Sequence, residues 1–454
     1  MRSIDLHTAL HRFGLGPAPG EASRIGGDVR GWLKAQTSGT ARPSAEMAEF
    51  PPSAETLREI HLARTAGGES LKKLGGTLYR QRFIGEVMAR ARHMIATDKP
   101  FAERMVAFWS NHFTVSTTRR IIAPAIPAYE REAIRPHVFG RFADMLKAVC
   151  RHPCMTSYLD NVFSMGPASP AGRRQTRRKG NEKTLNENLA REILELHTLG
   201  VNGGYGQHDV IELAKAISGW THGGARSGRD QRPVHGDFEF RAESHEPGPK
   251  TVLGKNYAEN GVDEGLAVLD DLARHPSTAR FIAGKLVRHF VADAPPAAAV
   301  ERIAAEFMDS DGDLARVCHA LIDLDACWRN PLSKAKSHYE LVIATHRATG
   351  ARDVGKRELL APLRELGQVP FAAPSPQGWG DTTDAWVTPE ALMHRIRWLR
   401  QQAARLPGSL RPDRLLDDLI GPVASDATRT WVGRAPSGDA AIAMVLASPE
   451  FQRR

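Results

Sequence analysis

Long apolar runs, cysteines and a recognisable leader are missing or scarce in this 454-residue chain. No uninterrupted apolar stretch reaches the roughly 18 residues that a membrane-spanning helix needs. The first residues, MRSIDLHTALHRFGLG, hold no apolar segment long enough for the core of a signal peptide. We therefore expect a soluble, cytoplasmic protein with no membrane span, unless an export signal has been trimmed from the chain.

Four cysteines are too few to form a disulfide scaffold in a chain of this length. Cys150 and Cys154, in CRHPC, are the one close pair, and no second pair at suitable spacing completes a metal site. We predict buried thiols here, with metal or redox use as the alternative.

Positive charge is in excess, with a formal net charge of +9. Five positive charges lie close together, on Arg173, Arg174, Arg177, Arg178 and Lys179. The surrounding Pro/Gly/Ser/Arg-rich stretch, 166–183, is expected to form a mobile basic loop. A solvated loop is the simple interpretation, and binding of a polyanion is the functional one. No nucleic-acid motif or interleaved aromatic residue accompanies the loop, which argues against nucleic acid as the partner.

Helical periodicity dominates what is present. In PFAERMVAFWSNHFTV, apolar residues and His112 recur at helical spacing and form one stripe. Helix starts are marked by Ser337 and Glu340 in capping-box spacing and by Thr388 before Pro389. We predict a mostly α, multi-helical globular protein.

One segment departs from the helical pattern. In DFEFRAESHEPGPKTVLGKNY, residues 237–257, Phe238 and Phe240 alternate with polar residues before a Pro/Gly turn and a second extended stretch. We predict one small two-stranded β-ribbon that packs on the helices. The chain is treated as a single helical unit, 1–454. Its expected sub-regions are N-terminal helices (1–165), the basic loop (166–183), a helical hairpin (184–220), the ribbon (221–257) and C-terminal helices (258–454).

The stretch NENLAREILELHTLGVNGGYGQHDV, residues 186–210, is rich in carboxylates. We expect a helix from about Thr184, with leucines and Ile193 on one side and His197 beside that apolar face. Its other side carries Glu187, Asn188, Arg191, Glu192 and Glu195. If water covers this polar stripe, it is a structural surface. If another element covers the stripe, carboxylates with shifted pKa values would make it a candidate site.

Three further residues are candidates for binding. His112 lies on an apolar stripe, where a core histidine bonded to a backbone carbonyl is the ordinary arrangement and a metal or haem ligand the alternative. His245 and Lys250 flank the turn HEPGPK, where an exposed imidazole and amine could receive an anionic group. A plain turn is the simpler interpretation. The sequence identifies no confident metal-ligand set and no cofactor.

Several motifs stand in a fixed order along the chain. They are FWSNHF (108–113), LDN…GP.S (159–169), NENLAREILELHTLGVNGGY (186–205), DVIELAKAISGW (209–220), KTVLG (250–254), HPSTARFIAGKLVRHFV (275–291) and SPQGW (375–379). With these motifs the chain resembles a bacterial family known as domain of unknown function 1800. The resemblance spans nearly the whole chain. It implies no established activity and transfers no catalytic residue. Members often lie beside genes for an exported, sulfatase-like protein, and many look exported themselves.

These observations leave three classes of function open. An enzyme with acid–base or metal chemistry would have a polar pocket lined partly by the 186–197 helix and the WSNHF helix. Its acid, base or ligand would come from Glu187, Glu192, Glu195 or His112, with Arg191 as orienter or anion clamp. A non-enzymatic partner or maturation factor for a sulfatase-like protein would instead show a sizeable apolar surface. Polyanion binding through 173–179 is the third class.

Overall fold

The structure is a computed structural model that describes residues 3–66, 68–179, 184–224, 235–351 and 353–454. Helices hold most of these residues, and the strands among them form two small antiparallel sheets. The predicted mostly α, multi-helical fold is confirmed. Its physical cause is the helical recurrence of apolar side chains, which turns one face of each longer helix into the interior.

The helices follow one another closely along the chain. Those of the N-terminal half are α1 (Ile4–Thr8), α2 (Glu21–Ile25), α3 (Val29–Ala35), α4 (Ala45–Ala48), α5 (Ser53–Thr65), α6 (Gly68–Leu78), α7 (Gly85–Ala96), α8 (Pro100–His112), α9 (Ile126–Tyr129), α10 (Phe142–Arg151), α11 (Pro153–Tyr158), α12 (Pro170–Lys179), α13 (Asn188–Glu192) and α14 (Gln207–Ala216). Those of the C-terminal half are α15 (Val262–Ala273), α16 (Pro276–Phe290), α17 (Ala297–Asp309), α18 (Leu314–Asp323), α19 (Ala326–Arg329), α20 (His338–Ala348), α21 (Lys356–Glu365), α22 (Pro389–Ala403), α23 (Pro412–Leu419), α24 (Asp426–Gly433), α25 (Gly438–Ala447) and α26 (Pro449–Gln452). Wider, π-helical turns occupy Ala9–Phe13, Tyr79–Ile84, Glu130–Ile134 and Ile193–His197.

Local capping chemistry sets several helix starts as the sequence indicates. The Ser337 hydroxyl accepts the amide of Glu340, and the Glu340 carboxylate accepts the amide of Ser337, so α20 begins with a full capping box. Thr388 accepts the amide of Ala391 ahead of Pro389 and starts α22. Both predicted caps are confirmed. They could be predicted from the sequence because each depends only on residues one turn apart.

Two local expectations were wrong. The helix expected from Thr184 begins at Asn188, whose amide donates to the side chain of Asn186. Part of the expected basic loop, 170–179, is the helix α12. Its start is explained by Ser169, whose hydroxyl accepts the amide of Gly172 just ahead of the first turn. Residues 180–183 of that loop lie outside the described residues.

The strands form two hairpins rather than one ribbon. Strand β1 (Trp220–His222) pairs with β2 (Phe238–Phe240), and β3 (Lys250–Val252) pairs with β4 (Lys255–Tyr257). The predicted pairing of the Phe238–Phe240 strand with the stretch after the Pro/Gly turn is therefore wrong. Leu253 and Gly254 both have positive φ, 51° and 75°. This geometry closes a two-residue hairpin, so the stretch after Lys250 pairs with its own continuation.

Two hydrophobic cores share the interior. The larger core gathers side chains from Leu6 to Trp328, including Phe101, Phe108 and Trp109 of α8. The smaller core contains Leu15, apolar residues of α7 and most of the buried apolar side chains from Leu341 to Phe451. How the chain divides into domains stays a prediction, but helix α8 and the segment after residue 337 meet where the two cores adjoin.

A buried ion network links α7, α8 and the chain after α9. Arg135 reaches both carboxylate oxygens of Glu103 at 2.7 and 2.8 Å, and also Glu130 at 3.2 Å. Arg90 Nε lies 2.8 and 2.9 Å from the two oxygens of Glu130. Burial by itself raises the pKa of Glu103, but Arg135 and then His93 hold it far below its ordinary value of 4.5. Removing one partner would strand a charge away from water.

We predict that Arg135→Met lowers the free energy of unfolding by about 3–5 kcal/mol, because Glu103 and Glu130 lose their shared cation in a buried site. Urea denaturation followed by circular dichroism measures the change. Arg92→Met is the matched control: Arg92 pairs with Glu46 where both side chains are partly exposed, so its loss should cost less than about 1 kcal/mol. Equal effects of the two substitutions would contradict the prediction.

Candidate functional site

A cavity of about 620 Å³ lies where the two cores adjoin. Its walls come from α8, α16, α20 and the irregular segment 368–386. The polar and charged lining side chains that matter below are Arg90, Arg104, Asn111, His112, Lys285, Arg288, His289, Asp293, Glu340 and Asp381. Phe108, Tyr339, Phe371, Trp379 and Trp386 add aromatic walls. A cavity of this size, with a few polar groups on apolar walls, is typical of a small-molecule site.

Helical spacing aims the side chains of α16 at the cavity. Lys285, Arg288 and His289 stand at offsets of 0, 3 and 4, which puts all three on one side of the helix. Ile282 and Leu286 of the same helix are buried in the larger core. In the stretch KLVRH, the two basic residues and the histidine therefore face the cavity, and Leu286 and Val287 pack in the core.

Glu340 is the partly buried anion on which several elements converge. Arg104 forms an ion pair with Glu340 Oε1, and Arg454 Nε lies 3.3 Å from the same oxygen. Arg104 and Arg454 are themselves buried. Burial raises the pKa of Glu340, but Arg454 and Arg104 outweigh it and hold the pKa well below the ordinary 4.5. Glu340 is thus a fixed negative charge in the cavity wall.

His289 and Asp381 form a second polar pair. His289 Nδ1 lies 2.8 Å from Asp381 Oδ2, an arrangement in which the ring N–H donates to the carboxylate. The other ring nitrogen, Nε2, lies 3.5 Å from Arg104. Burial lowers the pKa of His289 from 6.5 to about 4, and Asp381 opposes that shift only in part. The imidazole is therefore neutral near pH 7, with the tautomer set by its carboxylate partner.

Lys285 and His112 form a third pair. His112 Nε2–H donates to the carbonyl oxygen of His197 at 3.1 Å, which leaves Nδ1 to accept from Lys285 Nζ at 3.0 Å. Burial lowers the pKa of Lys285 from 10.5 to about 8; Asp381 opposes the shift and Arg288 adds to it. Burial and then Lys285 lower the pKa of His112 well below 6.5. The predicted carbonyl bond of His112 is present, and the lysine is an addition that the sequence did not reveal.

Positive charge is in excess around the cavity. Arg104 has Glu340 as its counter-ion, and Asp381 lies 4.0 Å from Lys334. Lys285 and Arg288 differ from these groups. Among the described residues, neither side chain forms an ion pair with a carboxylate. The only side-chain hydrogen bond that either makes to these residues is the one from Lys285 to His112. Two cations one turn apart thus face the cavity without a counter-ion.

The carboxylate stripe predicted from the sequence lies elsewhere. Arg191 contacts Glu187 at 3.0 Å with side chains 40% and 29% exposed, and Tyr205 OH lies 3.5 Å from Glu195. Partial burial and then Glu195 raise the pKa of Glu192. Glu187, Asn188, Arg191, Glu192 and Glu195 line no part of the 620 Å³ cavity. The WSNHF helix lines this cavity through Asn111 and His112, and it meets the 186–197 segment through the bond from the His112 ring to the carbonyl oxygen of His197. A function for the stripe stays a prediction.

His245 and Lys250 are brought together, but not as exposed groups. His245 Nε2 and Lys250 Nζ lie 2.9 and 3.0 Å from the same oxygen, Oε2 of Glu264. All three side chains are buried. The expectation that they receive an external anion at an open turn was wrong, because strand β3 folds Lys250 inward onto a carboxylate that already neutralises it.

The basic stretch forms a charged helical surface. Arg173, Arg174, Arg177 and Arg178 are exposed on α12. The side chain of Lys179 lies outside the described residues. Polyanion binding and the sulfatase-like partner both stay predictions.

Long-range pairing explains why sequence reasoning missed most of the cavity. Lys285 and His112 are 173 positions apart, and Glu340 meets Arg104 from 236 positions away. The signal that was available is the set of motifs FWSNHF, HPSTARFIAGKLVRHFV and SPQGW, each of which supplies lining residues. From the sequence, His289 shares a helix face with Ile282 and Leu286, which indicates a core histidine, with a metal or haem ligand as the alternative.

Fold and site together define a mostly helical protein with a positively charged cavity between two cores. The family model described as "Protein of unknown function (DUF1800)" matches residues 8–453, so the chain belongs to that family. No curated protein and no solved structure shows a significant match to the chain. Within the described residues, no group of three or more His, Cys, Asp or Glu side chains is arranged to hold a metal ion. Nor does any helix described here have the length and apolarity to cross a membrane.

Buried neutral histidines predict that the protein loses stability in mild acid. The pKa of His289 is about 4 and that of His197 about 3 in the folded chain, both lowered chiefly by burial from 6.5. The unfolded chain therefore binds more protons below about pH 6.5, so the free energy of unfolding falls as the pH falls through that value. Each such histidine accounts for about 1 kcal/mol of the difference between about pH 7.5 and pH 5.5.

Urea denaturation of the wild type and His289→Gln at those two pH values measures the effect. The variant should show the smaller loss of stability on acidification, by about 1 kcal/mol. An unchanged pH dependence would mean that His289 does not titrate as its burial and partners require.

Proposed function

We propose that the cavity binds a small molecule bearing a carboxylate or phosphate group, and that His289 with Asp381 supplies acid–base chemistry beside it. The observation that carries the proposal is the pair of cations on α16, Lys285 and Arg288, which face the cavity without a carboxylate partner among the described residues. Like charges held one turn apart repel each other. An anion bound between them removes that cost.

The surroundings favour an anion over a neutral ligand. Glu340 and Asp381 are already engaged by Arg104, Arg454 and His289, so they leave the two free cations uncompensated. Arginine presents a planar set of N–H donors that suits a carboxylate or phosphate. The aromatic side chains Trp379 and Trp386 would then cover the less polar part of the ligand.

His289 is the group best placed for acid–base work. Its Nδ1–H is held by Asp381, and its Nε2 side lies at the cavity wall near Arg104. A carboxylate that fixes the tautomer of a histidine and steadies its protonated form is a recurrent arrangement in acid–base catalysis. The low pKa of His289, about 4, keeps the imidazole neutral near pH 7, so its Nε2 lone pair is free to accept a proton.

We predict that Arg288→Gln and Lys285→Met each weaken binding of small anions by about tenfold or more, because a hydrogen bond to a charged group contributes about 1.5–3 kcal/mol. Isothermal titration calorimetry with phosphate, sulfate and lactate as probes measures the affinities. Binding should also weaken with rising ionic strength.

The matched control is Arg280→Gln. Arg280 belongs to the same helix, but its side chain is 63% exposed and pairs with Glu301 away from the cavity. Its removal should leave every anion affinity unchanged. The proposal would be abandoned if no probe anion bound to the wild type, or if the control weakened binding as much as the cavity variants.

A further inference from the structure

We propose that Lys285 forms a covalent imine with a 2-oxo carboxylate, whose carboxylate group is held by Arg288. The inference rests on the proposed anion-binding function and deepens it by naming the chemical class of the ligand. Its basis is the juxtaposition, on one face of α16 and inside a 620 Å³ cavity, of an amine and a guanidinium one turn apart. Residues at this spacing have Cβ atoms about 5–6 Å apart.

The amine is accessible and its contacts are few. Lys285 is partly exposed, and it lines the cavity rather than the protein surface alone. Its Nζ lies over the ring of Phe281, 5.6 Å from the ring centre. Among the described residues, its single hydrogen-bond partner is His112 Nδ1 at 3.0 Å, and no carboxylate bonds to it directly.

Lys336 shows what a purely structural buried lysine looks like in the same protein. Its Nζ contacts His11 Nδ1 at 3.1 Å and two backbone carbonyl oxygens, those of Phe451 and Arg453. All three of its donors are therefore used, and it lines no part of the cavity. Lys285 has the same histidine contact but opens onto empty space where Lys336 meets carbonyl groups. The difference between the two lysines points to a ligand for Lys285.

The groups around Lys285 suit an amine that works near neutral pH. They are His112 from α8, His197 from the π-helical turn, Arg288 on its own helix and Asp381 from segment 368–386. Burial, then Arg288, favours loss of the proton, and Asp381 disfavours it, with a net pKa of about 8. Compared with a lysine at 10.5, the unprotonated fraction near pH 7 is more than about a hundredfold larger.

The covalent step balances without a further reactant. The neutral Nζ adds to the carbonyl carbon, a C–N bond forms, and the carbonyl oxygen takes the proton that leaves nitrogen. The first ammonium proton leaves to His112 Nδ1. His112 returns that proton to the hydroxyl group, which departs as water while the nitrogen lone pair forms the C=N bond of the protonated imine. No electron is gained or lost overall.

Reductive trapping tests the imine directly. The wild-type protein is incubated with pyruvate and sodium cyanoborohydride, which reduces an iminium ion to a stable secondary amine, and the modified lysine is located by peptide mass mapping. We expect labelling at Lys285 at least about tenfold faster than at Lys255, an exposed lysine of strand β4. The rate should rise as the pH is raised towards about 8.

Two variants and one analogue separate the imine from simple anion binding. Lys285→Arg keeps the positive charge but cannot form an imine, so it should lose the label while still binding lactate, which has no carbonyl group. Arg288→Gln should weaken lactate binding and slow labelling together. Arg280→Gln should change neither. Circular dichroism of each variant establishes that it is folded.

The outcomes are distinct. Lactate binding without any label on Lys285 overturns the imine and leaves the proposed anion site in place. Label spread equally over Lys285 and exposed lysines such as Lys255 also overturns it. A label confined to Lys285 and abolished in Lys285→Arg supports it. Absence of binding by every probe anion would overturn the proposed function itself.

Discussion

The ion pairs of Glu340 with Arg104 and Arg454 are the constraint on which the cavity depends. Three segments far apart in sequence, α8, α20 and the last residues of the chain, meet at the partly buried carboxylate of Glu340. Such a cluster contributes little net stability compared with apolar packing of the same volume. It does, however, disfavour any packing of the three segments that would separate one of these charges from its partner. The two hydrophobic cores therefore meet along a polar seam, and the cavity lies in that seam.

Helix α8 takes part in two buried ion networks and connects them. Its neighbouring residues Glu103 and Arg104 belong to different buried networks: Glu103 binds Arg135, whereas Arg104 binds Glu340. One turn further on, Phe108 packs in the larger core and also lines the cavity. At the end of the helix, His112 is fixed by the carbonyl of His197. The position of the Lys285 amine is thus set by a helix that is anchored on two sides by buried charges.

Much of the local structure could be predicted from the sequence, and little of the site could. The caps of Ser337 and Thr388 and the apolar stripe of α8 follow from residues within a turn or two of one another. The burial of Lys250 on Glu264, and the bond between Lys285 and His112, depend on which helices pack together. Periodicity does not carry that information. A carboxylate-rich stretch was therefore more conspicuous in the sequence than two cations that have no partner nearby along the chain.

Charge imbalance separates the cavity from two other buried polar clusters of the protein. The cluster of His245, Lys250 and Glu264 holds its cation against a carboxylate, and the same is true of Arg135 with Glu103. Those clusters are closed, because every buried positive charge meets a negative one within the protein. On α16, the positive charges of Lys285 and Arg288 have no carboxylate partner among the described residues. Other polar groups of the cavity wall, such as His289 and Asp381, are paired with each other. This pair of cations, left without a carboxylate partner among the described residues, is the feature that supports the proposed binding of an external anion.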